Sequence, residues 1–484
     1  MPTDHDKCNS RYNGSLLIIM TVICLYASTT SLFFPITKSL IFKKVCLQKG
    51  FTNCSIDNKE MGKNIEIQTE TNIIFMYAGV IFSGLAIFSS IGIGKLSDDF
   101  SRKYALIVPF VGLIFSDLFL IKLSGDMNAH NQSLFIVSEI VFGIFGGYMS
   151  IFACAFSYVS QATEFDLNKR SKYISYLEGS IGLGSALGFL AGTYFDKIDY
   201  NYMHVYMIIL GMHFIGMFLL TFVKDMVPEE DRFNTTSILN ETFVERIHER
   251  FTGWKSTFWD EDNKFNKTLL YLSIAFGLSF LALMGSSRIM FFYFKHKFEW
   301  DTIEYSRFKF PMQIVATFFA LCVYPVLKNT DIKDSTLALV GLVARAFGRI
   351  LLAIAWDDKV IYALIVMEAF NKFAPSGMRA MMAQTVYTTE LGRLFSLISV
   401  VEAIGNLLSS FIFHTIFPYT LTFMPELSFL IMATLCIPAV ILVVLADEGI
   451  QVLSMKRQSR SHKMFPQLLV KVDSNKQTGD EDSI

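Results

Sequence analysis

The chain has 484 residues, of which 52% are hydrophobic and 18% are charged, and its formal net charge at pH 7 is −1. A water-soluble protein of this length would carry a larger share of charged residues on its surface, and a nucleic-acid-binding protein would carry a basic domain, which this sequence lacks. The composition therefore indicates a protein that is embedded in a lipid bilayer.

Twelve long apolar segments follow one another along the chain, and each is long enough to cross a bilayer as a helix. In lipid a backbone satisfies its hydrogen bonds only within helices or closed barrels, and these segments lack the strict alternation of barrel strands. We therefore predict twelve transmembrane helices. The segments are 15–37, 72–94, 104–123, 133–158, 174–194, 203–223, 268–292, 311–327, 335–356, 360–380, 394–417 and 424–446.

The apolar segments form two groups of six, separated by a polar stretch at 224–266. We predict an N-terminal six-helix bundle at 15–223 and a C-terminal six-helix bundle at 267–446. The linker between them and the two tails, 1–14 and 447–484, are expected in the cytosol. The second tail is rich in polar and charged residues, so we expect it to be disordered.

A short charged loop connects the second and third apolar segments. The order of its glycine, leucine, aspartate and basic residues resembles the signature loop of the major facilitator superfamily. The resemblance rests on Gly94, Leu96, Asp98, Arg102, Lys103 and Leu106. Two positions depart from the pattern, because Asp99 stands where arginine is usual and Ser101 stands where glycine is usual.

This resemblance implies an all-α membrane protein with the major facilitator fold, in which 12 transmembrane helices form two pseudo-symmetric six-helix bundles. It also implies that the loop and both termini are cytosolic. Opposite charges on a short loop can bind helix ends in one conformation and release them in another. We therefore predict a gating role for Gly94, Asp98, Arg102 and Lys103.

The two halves also resemble each other in sequence. Residues 174–178 read Ile-Ser-Tyr-Leu-Glu, and residues 398–402 read Ile-Ser-Val-Val-Glu. The match indicates an internal duplication, as expected for a facilitator fold whose halves are related by an axis along the membrane normal. Glu178 and Glu402 are then equivalent positions in the fifth and eleventh segments.

Several charged residues lie inside the predicted spans, where a charge is costly and marks a candidate for function. Glu178 is flanked by small residues, and a carboxyl group removed from water can load and release a proton near neutral pH. We predict proton coupling by Glu178 and Glu402. Arg379 is always charged and suits a carboxylate or phosphate of the substrate. Glu368 and Arg288 are the other predicted substrate-binding residues.

Other intramembrane charges have a structural interpretation beside the functional one. Arg288 and Glu139 could extend to the outer headgroups of the bilayer. Arg345, Arg349 and Asp117 are expected to pair with other residues inside the fold rather than to touch substrate.

Further motifs resemble the proton-coupled folate transporter family. They lie at 170–171, 177–182, 187–188 and 191–192 in the first half, and at 379–380, 390–396 and 412–440 in the second. The resemblance places the family's coupling glutamate at Glu178 and its helix-10 arginine at Arg379. Leu283 stands near the position of the family's helix-7 histidine, so the substrate need not be folate. Relatives carry other organic anions, muropeptides, cyclic dinucleotides or conjugated steroids.

These observations predict a secondary active transporter, specifically a proton-coupled symporter of an organic anion that is folate-like, a muropeptide or a conjugated metabolite. The alternatives are a non-transporting membrane receptor or scaffold with this fold, and a uniporter that does not use protons. The sequence shows no nucleophile–base arrangement and no metal-ligand spacing, so we expect neither an enzyme nor a cofactor. The expected partners are the anion, protons and the bilayer.

We expect the protein to be a monomer. We expect it in the plasma membrane rather than in the lysosomal membrane, because Leu468-Leu469 lacks the upstream acidic residue of a dileucine sorting signal. Cys46 and Cys54 share the first hydrophilic loop. They could form a local disulfide if that loop is extracellular.

Overall fold

The structure is a computed structural model that describes residues 4–51, 54, 64–127, 131–163, 166–197, 201–225, 258–259, 265–300, 302–386, 391–421 and 423–477. Across these ranges it is helical, and the only extended pairing is an isolated bridge between Trp259 and Phe265. The predicted linker at 224–266 lies almost entirely outside the described residues.

Seven helices form the N-terminal half. They are α1 Asp4–Gln48, α2 Ile65–Asp99, α3 Arg102–Gly125, α4 Ser133–Ile144, α5 Gly147–Ala162, α6 Leu167–Lys197 and α7 Tyr202–Thr221. Nine more follow in the described part of the C-terminal half. They are α8 Lys267–Phe298, α9 Thr302–Phe318, α10 Tyr324–Asn329, α11 Asp334–Ile354, α12 Asp358–Ile361, α13 Leu364–Glu368, α14 Phe373–Thr385, α15 Leu391–Thr420 and α16 Leu427–Gln477.

Eleven helical runs in the described part of the chain are long and apolar enough to cross a membrane. The protein is therefore an integral multi-pass membrane protein. The predicted all-α fold is confirmed, and twelve crossings are consistent with the structure once the divided segment at 360–380 is counted. That segment is shared among α12, α13 and α14 instead of forming one long helix.

The break before α14 has a cause in the sequence. Pro375 has no backbone N–H, so it cannot donate the helical hydrogen bond to the carbonyl of Asn371. Arg345 donates to that carbonyl instead, with its Nη2 atom 3.1 Å from the oxygen. The proline therefore frees a backbone acceptor inside the bundle, and a charged side chain from α11 occupies it.

Two other spans are also interrupted. Gly146 and Gly147 separate α4 from α5 and have φ angles of 96° and 61°, a left-handed conformation that glycine adopts without strain. A π-helical turn, Phe319–Val323, joins α9 to α10.

The last helix is longer than the sequence analysis predicts. α16 continues through the segment expected to be a disordered tail and ends at Gln477. Lysine, arginine, glutamine, methionine and leucine are frequent at 451–470. These residues have good helix propensity, although Pro466 and three serines in the same segment do not.

The two most extensive contacts between the halves are α2 packed on α15 and α6 packed on α9, and α5 also packs on α15. α6 also packs on α1. Small residues make these close contacts possible: a side chain at Gly184 would collide with the carbonyl oxygen of Cys24 in α1, and one at Gly179 would collide with Leu321 in the π-helical turn. α6 therefore fits tightly against a helix of each half.

A disulfide joins Cys46 at the end of α1 to Cys54 in the following loop. Beside it, the Lys49 ammonium lies 2.7 Å from Glu66 and 2.8 Å from Glu70 at the start of α2. Because the signature loop follows the other end of α2, the disulfide and the signature loop lie at opposite ends of the molecule.

Candidate functional site

Two adjoining cavities lie between the halves. The main cavity has a volume of about 340 Å³, and about a third of the residues that line it are phenylalanine or tyrosine. The second, which we call the polar cavity, has a volume of about 220 Å³. Both cavities are lined by Tyr148, Lys309 and Gln313. The polar cavity brings together the charged residues Glu178, Lys309, Arg345, Arg349, Glu368, Lys372, Arg379 and Glu402.

Arg379 is at the centre of the polar cavity. From α14 its Nη1 donates to Glu178 of α6, and its Nη2 donates to Glu402 of α15 over 2.5 Å. The guanidinium carbon also lies 4.1 Å from the ring centre of Phe156 and 5.1 Å from that of Phe276. The arginine is thus held by two carboxylates in its plane and by aromatic faces, an arrangement that suits a guanidinium better than an ammonium.

Two carboxylates, Glu178 and Glu402, and two cations, Arg379 and Lys372, lie together here, so their formal charges cancel. The ammonium of Lys372 lies 3.4 Å from Glu178 Oε2, so Glu178 contacts two cations of the other half. Glu178, Glu402 and Arg379 are each at most 5% exposed. We refer to these three residues and Lys372 as the Arg379 cluster. The sequence predicts Glu178, Glu402 and Arg379 as functional residues, and the structure brings all three into direct contact.

A second buried ion pair lies beside this cluster. Arg349 donates to Glu368 over 2.6 Å, while Arg345 is held by Ser279 and Asn371. Both arginines were expected to pair with acidic groups; this pairing is observed for Arg349, whereas the described contacts of Arg345 are to a serine and an asparagine. Glu368, predicted to bind substrate, does line the polar cavity, but one of its oxygens is already bound to Arg349.

Arg288 and Glu139 both line the main cavity. Arg288 points toward α15, where it donates to Asn406 over 2.6 Å and to Ser409 over 3.1 Å. This position differs from the alternative in which Arg288 and Glu139 extend to the headgroups, while the contact of Arg288 with substrate stays a prediction. The protein surrounds them here because the cavity lies between the halves.

The sequence analysis missed two lysines of the main cavity. Lys38 is buried, donates to the carbonyl of Arg288 over 3.0 Å and lies 5.0 Å from the ring centre of Phe292. Lys309 lies 5.7 Å from the ring centre of Tyr305. Lys38 follows the first predicted segment by one residue and Lys309 precedes the eighth by two, so both were assigned to loops. The helices extend further than the apolar runs, and this brings both lysines inside.

Asp117 is paired, as expected, and its partner is His213. The Nδ1 atom of the imidazole lies 2.6 Å from Asp117 Oδ2, and its Nε2 atom lies 2.8 Å from the hydroxyl of Thr29. These residues come from α3, α7 and α1 and are all buried beside the main cavity. His213 was visible in the sequence only as a histidine inside a span.

The predicted gating residues lie at the end of α2 and the start of α3. Arg102 donates to Ser157, and Lys103 donates to the carbonyl of Thr221 over 2.5 Å. These two acceptors belong to the N-terminal half. Gly94 lines a small cavity next to Ser157, and the side chain of Asp98 lies outside the described residues. The gating role of all four stays a prediction.

Other residues connect the halves at this end of the molecule. The hydroxyl of Ser171 in α6 donates to Asp334 in α11 over 2.6 Å. Arg170 donates to the carbonyl of Ala383 over 3.3 Å. The same carboxylate of Asp334 also accepts from Tyr324 over 3.0 Å. These contacts between α6 and the C-terminal half were not predicted from the sequence.

A family model described as Major Facilitator Superfamily matches residues 16–409. Among similar proteins, a lysosomal proton-coupled steroid conjugate and bile acid symporter from Gallus gallus is 21% identical, over 87% of this chain and 92% of that protein. The proton-coupled folate transporter of Rattus norvegicus is 21% identical over 85% and 88% of the two chains. A probable peptidoglycan muropeptide transporter from Drosophila melanogaster is 20% identical over 86% and 79%.

Solved structures have the same fold. The human organic anion transporter MFSD10 superposes with a TM-score of 0.66, at 13% identity, over 92% of this chain and all of that one. The fucose:proton symporter of E. coli superposes with a TM-score of 0.60, at 13% identity, over 90% and 99% of the two chains. The resemblance to proton-coupled folate transporter-like carriers was expected from the motifs around Glu178 and Arg379. It is confirmed by the three sequence relatives named above, from Gallus gallus, Rattus norvegicus and Drosophila melanogaster.

Proposed function

Because the chain belongs to the Major Facilitator Superfamily, a family of membrane transporters, we propose that it is a proton-coupled symporter that carries an organic anion by alternating access. The observation behind this proposal is that Arg379 binds Glu178 from the other half and Glu402 from its own half. Relatives that are named as proton-coupled transporters support the same type of coupling.

The Arg379 cluster provides a way to bind a proton and an anion together. When Glu178 and Glu402 are ionised, their two charges balance those of Arg379 and Lys372. An unpaired charge in a buried site costs several kcal/mol, so an anion enters only when a carboxylate is neutralised. Protonation of Glu178 removes one negative charge and frees part of the Arg379 guanidinium. That part then binds a carboxylate, sulfate or phosphate of the substrate.

The same protonation acts on the conformation of the protein. Glu178 belongs to the N-terminal half, whereas Arg379 and Lys372 belong to the C-terminal half, so their ion pairs hold the halves together. When Glu178 is neutral, these attractions are lost and the bundles are free to rock about the central cavities. Release of the proton on the other side of the membrane restores the ion pairs and displaces the anion.

The main cavity next to the cluster suits the apolar body of the substrate. Aromatic side chains such as Phe82, Phe142 and Phe152 line it, and ring systems bury a large apolar area against such walls. Lys38 and Arg288 provide additional positive charge in the same cavity. We therefore propose an organic anion with a ring system, a class that includes steroid conjugates, bile acids and folates.

Uptake into liposomes tests the proposal. Purified protein is reconstituted, and uptake of a radiolabelled steroid sulfate, a bile acid, folate and a muropeptide is measured with the outside at acidic pH. We expect at least one anion to accumulate above its outside concentration and a protonophore to abolish the accumulation. Uptake without proton dependence would favour the uniporter, and no movement of any probe would favour a receptor or scaffold.

A matched pair of variants distinguishes the loss of the titratable carboxylate in the Arg379 cluster from the loss of a paired carboxylate elsewhere in the protein. Glu178→Gln removes the titratable group of the cluster. Glu426→Gln removes the carboxylate of the Lys297–Glu426 pair, whose atoms are 2.5 Å apart and which lines neither described cavity. Proton-driven accumulation should be lost in the first variant and kept in the second.

The expected plasma-membrane location is tested by surface biotinylation of cells that express the chain.

A further inference from the structure

A second group of titratable residues lies in the N-terminal half, on helices that the Arg379 cluster does not use. It consists of Asp117 in α3, His213 in α7 and Thr29 in α1, which form a continuous hydrogen-bonded chain. Their exposed fractions are 3%, 4% and 1%, yet all three line the main cavity. A proton can therefore reach them from the cavity while the protein shields them from the lipid.

The hydrogens in this chain can be counted. The Thr29 hydroxyl has one hydrogen, and its oxygen lies 2.7 Å from the carbonyl oxygen of Tyr26 and 2.8 Å from His213 Nε2. When Thr29 donates to Tyr26, Nε2 must carry a hydrogen and donate to Thr29. A further hydrogen lies between Nδ1 and Asp117. In this form the His213–Asp117 pair holds two hydrogens and has no net charge.

Loss of one proton changes the direction of one hydrogen bond. Asp117 is then ionised, His213 keeps the hydrogen on Nδ1, and Nε2 becomes an acceptor. The Thr29 hydroxyl must turn from Tyr26 to Nε2. The Tyr26 carbonyl stays satisfied because the Thr30 hydroxyl also donates to it, over 2.9 Å. The site therefore accommodates both protonation states through the rotation of a single hydroxyl group.

We propose that Asp117, His213 and Thr29 form a second proton-binding site, which takes up a proton from the main cavity and returns it during the transport cycle. This inference rests on the proposed proton-coupled transport. It adds a proton site within the N-terminal half that is separate from Glu178 of the same half. Among the described contacts, no residue of the C-terminal half binds this site.

Among the described residues, several other titratable or charged groups lie around this site. Tyr26 of α1 has its ring centre 6.3 Å from that of His213, Tyr206 lies on α7, and Glu139 of α4, Lys38 of α1 and Arg288 of α8 line the same cavity. Phenol groups are neutral near pH 7, and Glu139 is the carboxyl group among these residues, so its titration has to be separated from that of the pair. A Glu139→Gln variant is therefore included in the test to separate its titration from that of the pair.

The direct test is nuclear magnetic resonance of the full-length protein in lipid nanodiscs, with ¹⁵N-labelled histidine and no substrate. The chain has eight histidines, and His213→Gln assigns the signal. We expect the His213 signal to change with pH as the pair loses its second hydrogen, and to change in the same way in Glu139→Gln. In Asp117→Asn it should remain that of neutral imidazole. A His213 signal that does not change with pH in the unmodified protein would overturn the inference.

This measurement does not depend on transport, so a failure of the proton-site inference is distinguishable from a failure of the proposed transport function in the liposome experiment. A transport measurement then connects the site to the cycle, with Thr29→Val and Thr21→Val as a matched pair. Both variants remove a hydroxyl of α1 that donates to a carbonyl of its own helix, but only Thr29 contacts His213, and Thr21 lines neither described cavity.

With a radiolabelled steroid sulfate as the probe, the ratio of uptake rates at about pH 5.5 and pH 7.5 should fall about 2- to 10-fold in Thr29→Val, the effect of losing one hydrogen bond. It should stay near the unmodified value in Thr21→Val, whose hydroxyl donates to the Leu17 carbonyl. Equal ratios in both variants would mean that the chain has only a structural role.

Discussion

Glu178 and Arg379 are 201 positions apart in the sequence, belong to different halves of the molecule, and form a direct hydrogen-bonded ion pair. Arg379 also binds Glu402, which is the counterpart of Glu178 in the duplicated second half. One fixed cation is therefore shared by two related carboxylates, one from each half. A neutral Glu178 leaves the arginine attached only to its own half, and this asymmetry is the basis of the coupling that we propose.

Replacement of Glu178 by glutamine should make anion binding insensitive to pH. Glutamine resembles the protonated carboxyl group but cannot release a proton, so the Arg379 cluster stays open to an anion at every pH. The unmodified protein should bind a steroid sulfate more tightly as the pH falls, because proton uptake and anion binding are linked, while the variant should lose this dependence. Equilibrium binding to purified protein measures this, and the variant should still exchange labelled for unlabelled anion. Unaltered concentrative uptake would remove Glu178 from the mechanism.

Replacement of Arg379 by alanine should raise the apparent KM for the anion by about 10- to 100-fold, because a hydrogen bond to a charged group contributes about 1.5–3 kcal/mol. Arg379→Lys keeps the charge but cannot bind two carboxylates with a rigid fork, so its KM should be intermediate. Initial uptake rates over a range of anion concentrations provide the values. If KM is unchanged in both variants, the arginine has only a structural role.

The Arg349–Glu368 pair should contribute to stability. Glu368→Gln leaves a buried arginine without its carboxylate, which costs about 3–5 kcal/mol, and the apparent melting temperature in detergent should fall. A double variant with Arg349→Met and Glu368→Leu should recover most of the loss, because both charges are removed together. A rise in KM in the double variant at restored stability would instead support the predicted contact of Glu368 with substrate.

Loss of the Ser171–Asp334 hydrogen bond should ease opening of the molecule at the signature-loop end. The bond joins α6 to α11 over 2.6 Å, so Ser171→Ala removes a direct link between the halves. We expect a cysteine placed at Ser287 in the main cavity to react with a thiol reagent from the cytosolic side about 2- to 10-fold faster, after the other unpaired cysteines are replaced. Ser399→Ala is the control, because Ser399 binds only the carbonyl of Ser396 in its own helix among the described contacts. Equal rates in both variants would argue against a gate at Ser171.

The disulfide and the signature loop should react from opposite sides of the membrane. Cys46 and Cys54 should bind a membrane-impermeant maleimide from outside intact cells, and only after reduction. A cysteine introduced at Lys103 should react only after the cells are permeabilised. The reverse pattern would place the signature loop outside and contradict the predicted orientation.

Length, composition and motifs were sufficient to predict the class of fold. A run of about 20 apolar residues has few ways to satisfy its backbone in lipid other than as a helix, so the spans were recognisable from hydrophobicity alone. The division of one span at 360–380 was not, because a proline inside a membrane helix does not always divide it: α3 continues past Pro109, whereas the helix is interrupted before Pro375, where Arg345 satisfies the freed carbonyl.

Repeated sequence at 174–178 and 398–402, together with the family motifs, was sufficient to select Glu178, Glu402 and Arg379. The tertiary structure decided which charges meet. Helices that are apolar on most sides carry little information about their rotation and tilt, so the pairing of Asp117 with His213 and the burial of Lys38 and Lys309 were not predictable. These contacts depend on how the helices pack against one another, within a half for Asp117 and His213 and between the halves for Lys38, and that arrangement exists only in the folded protein.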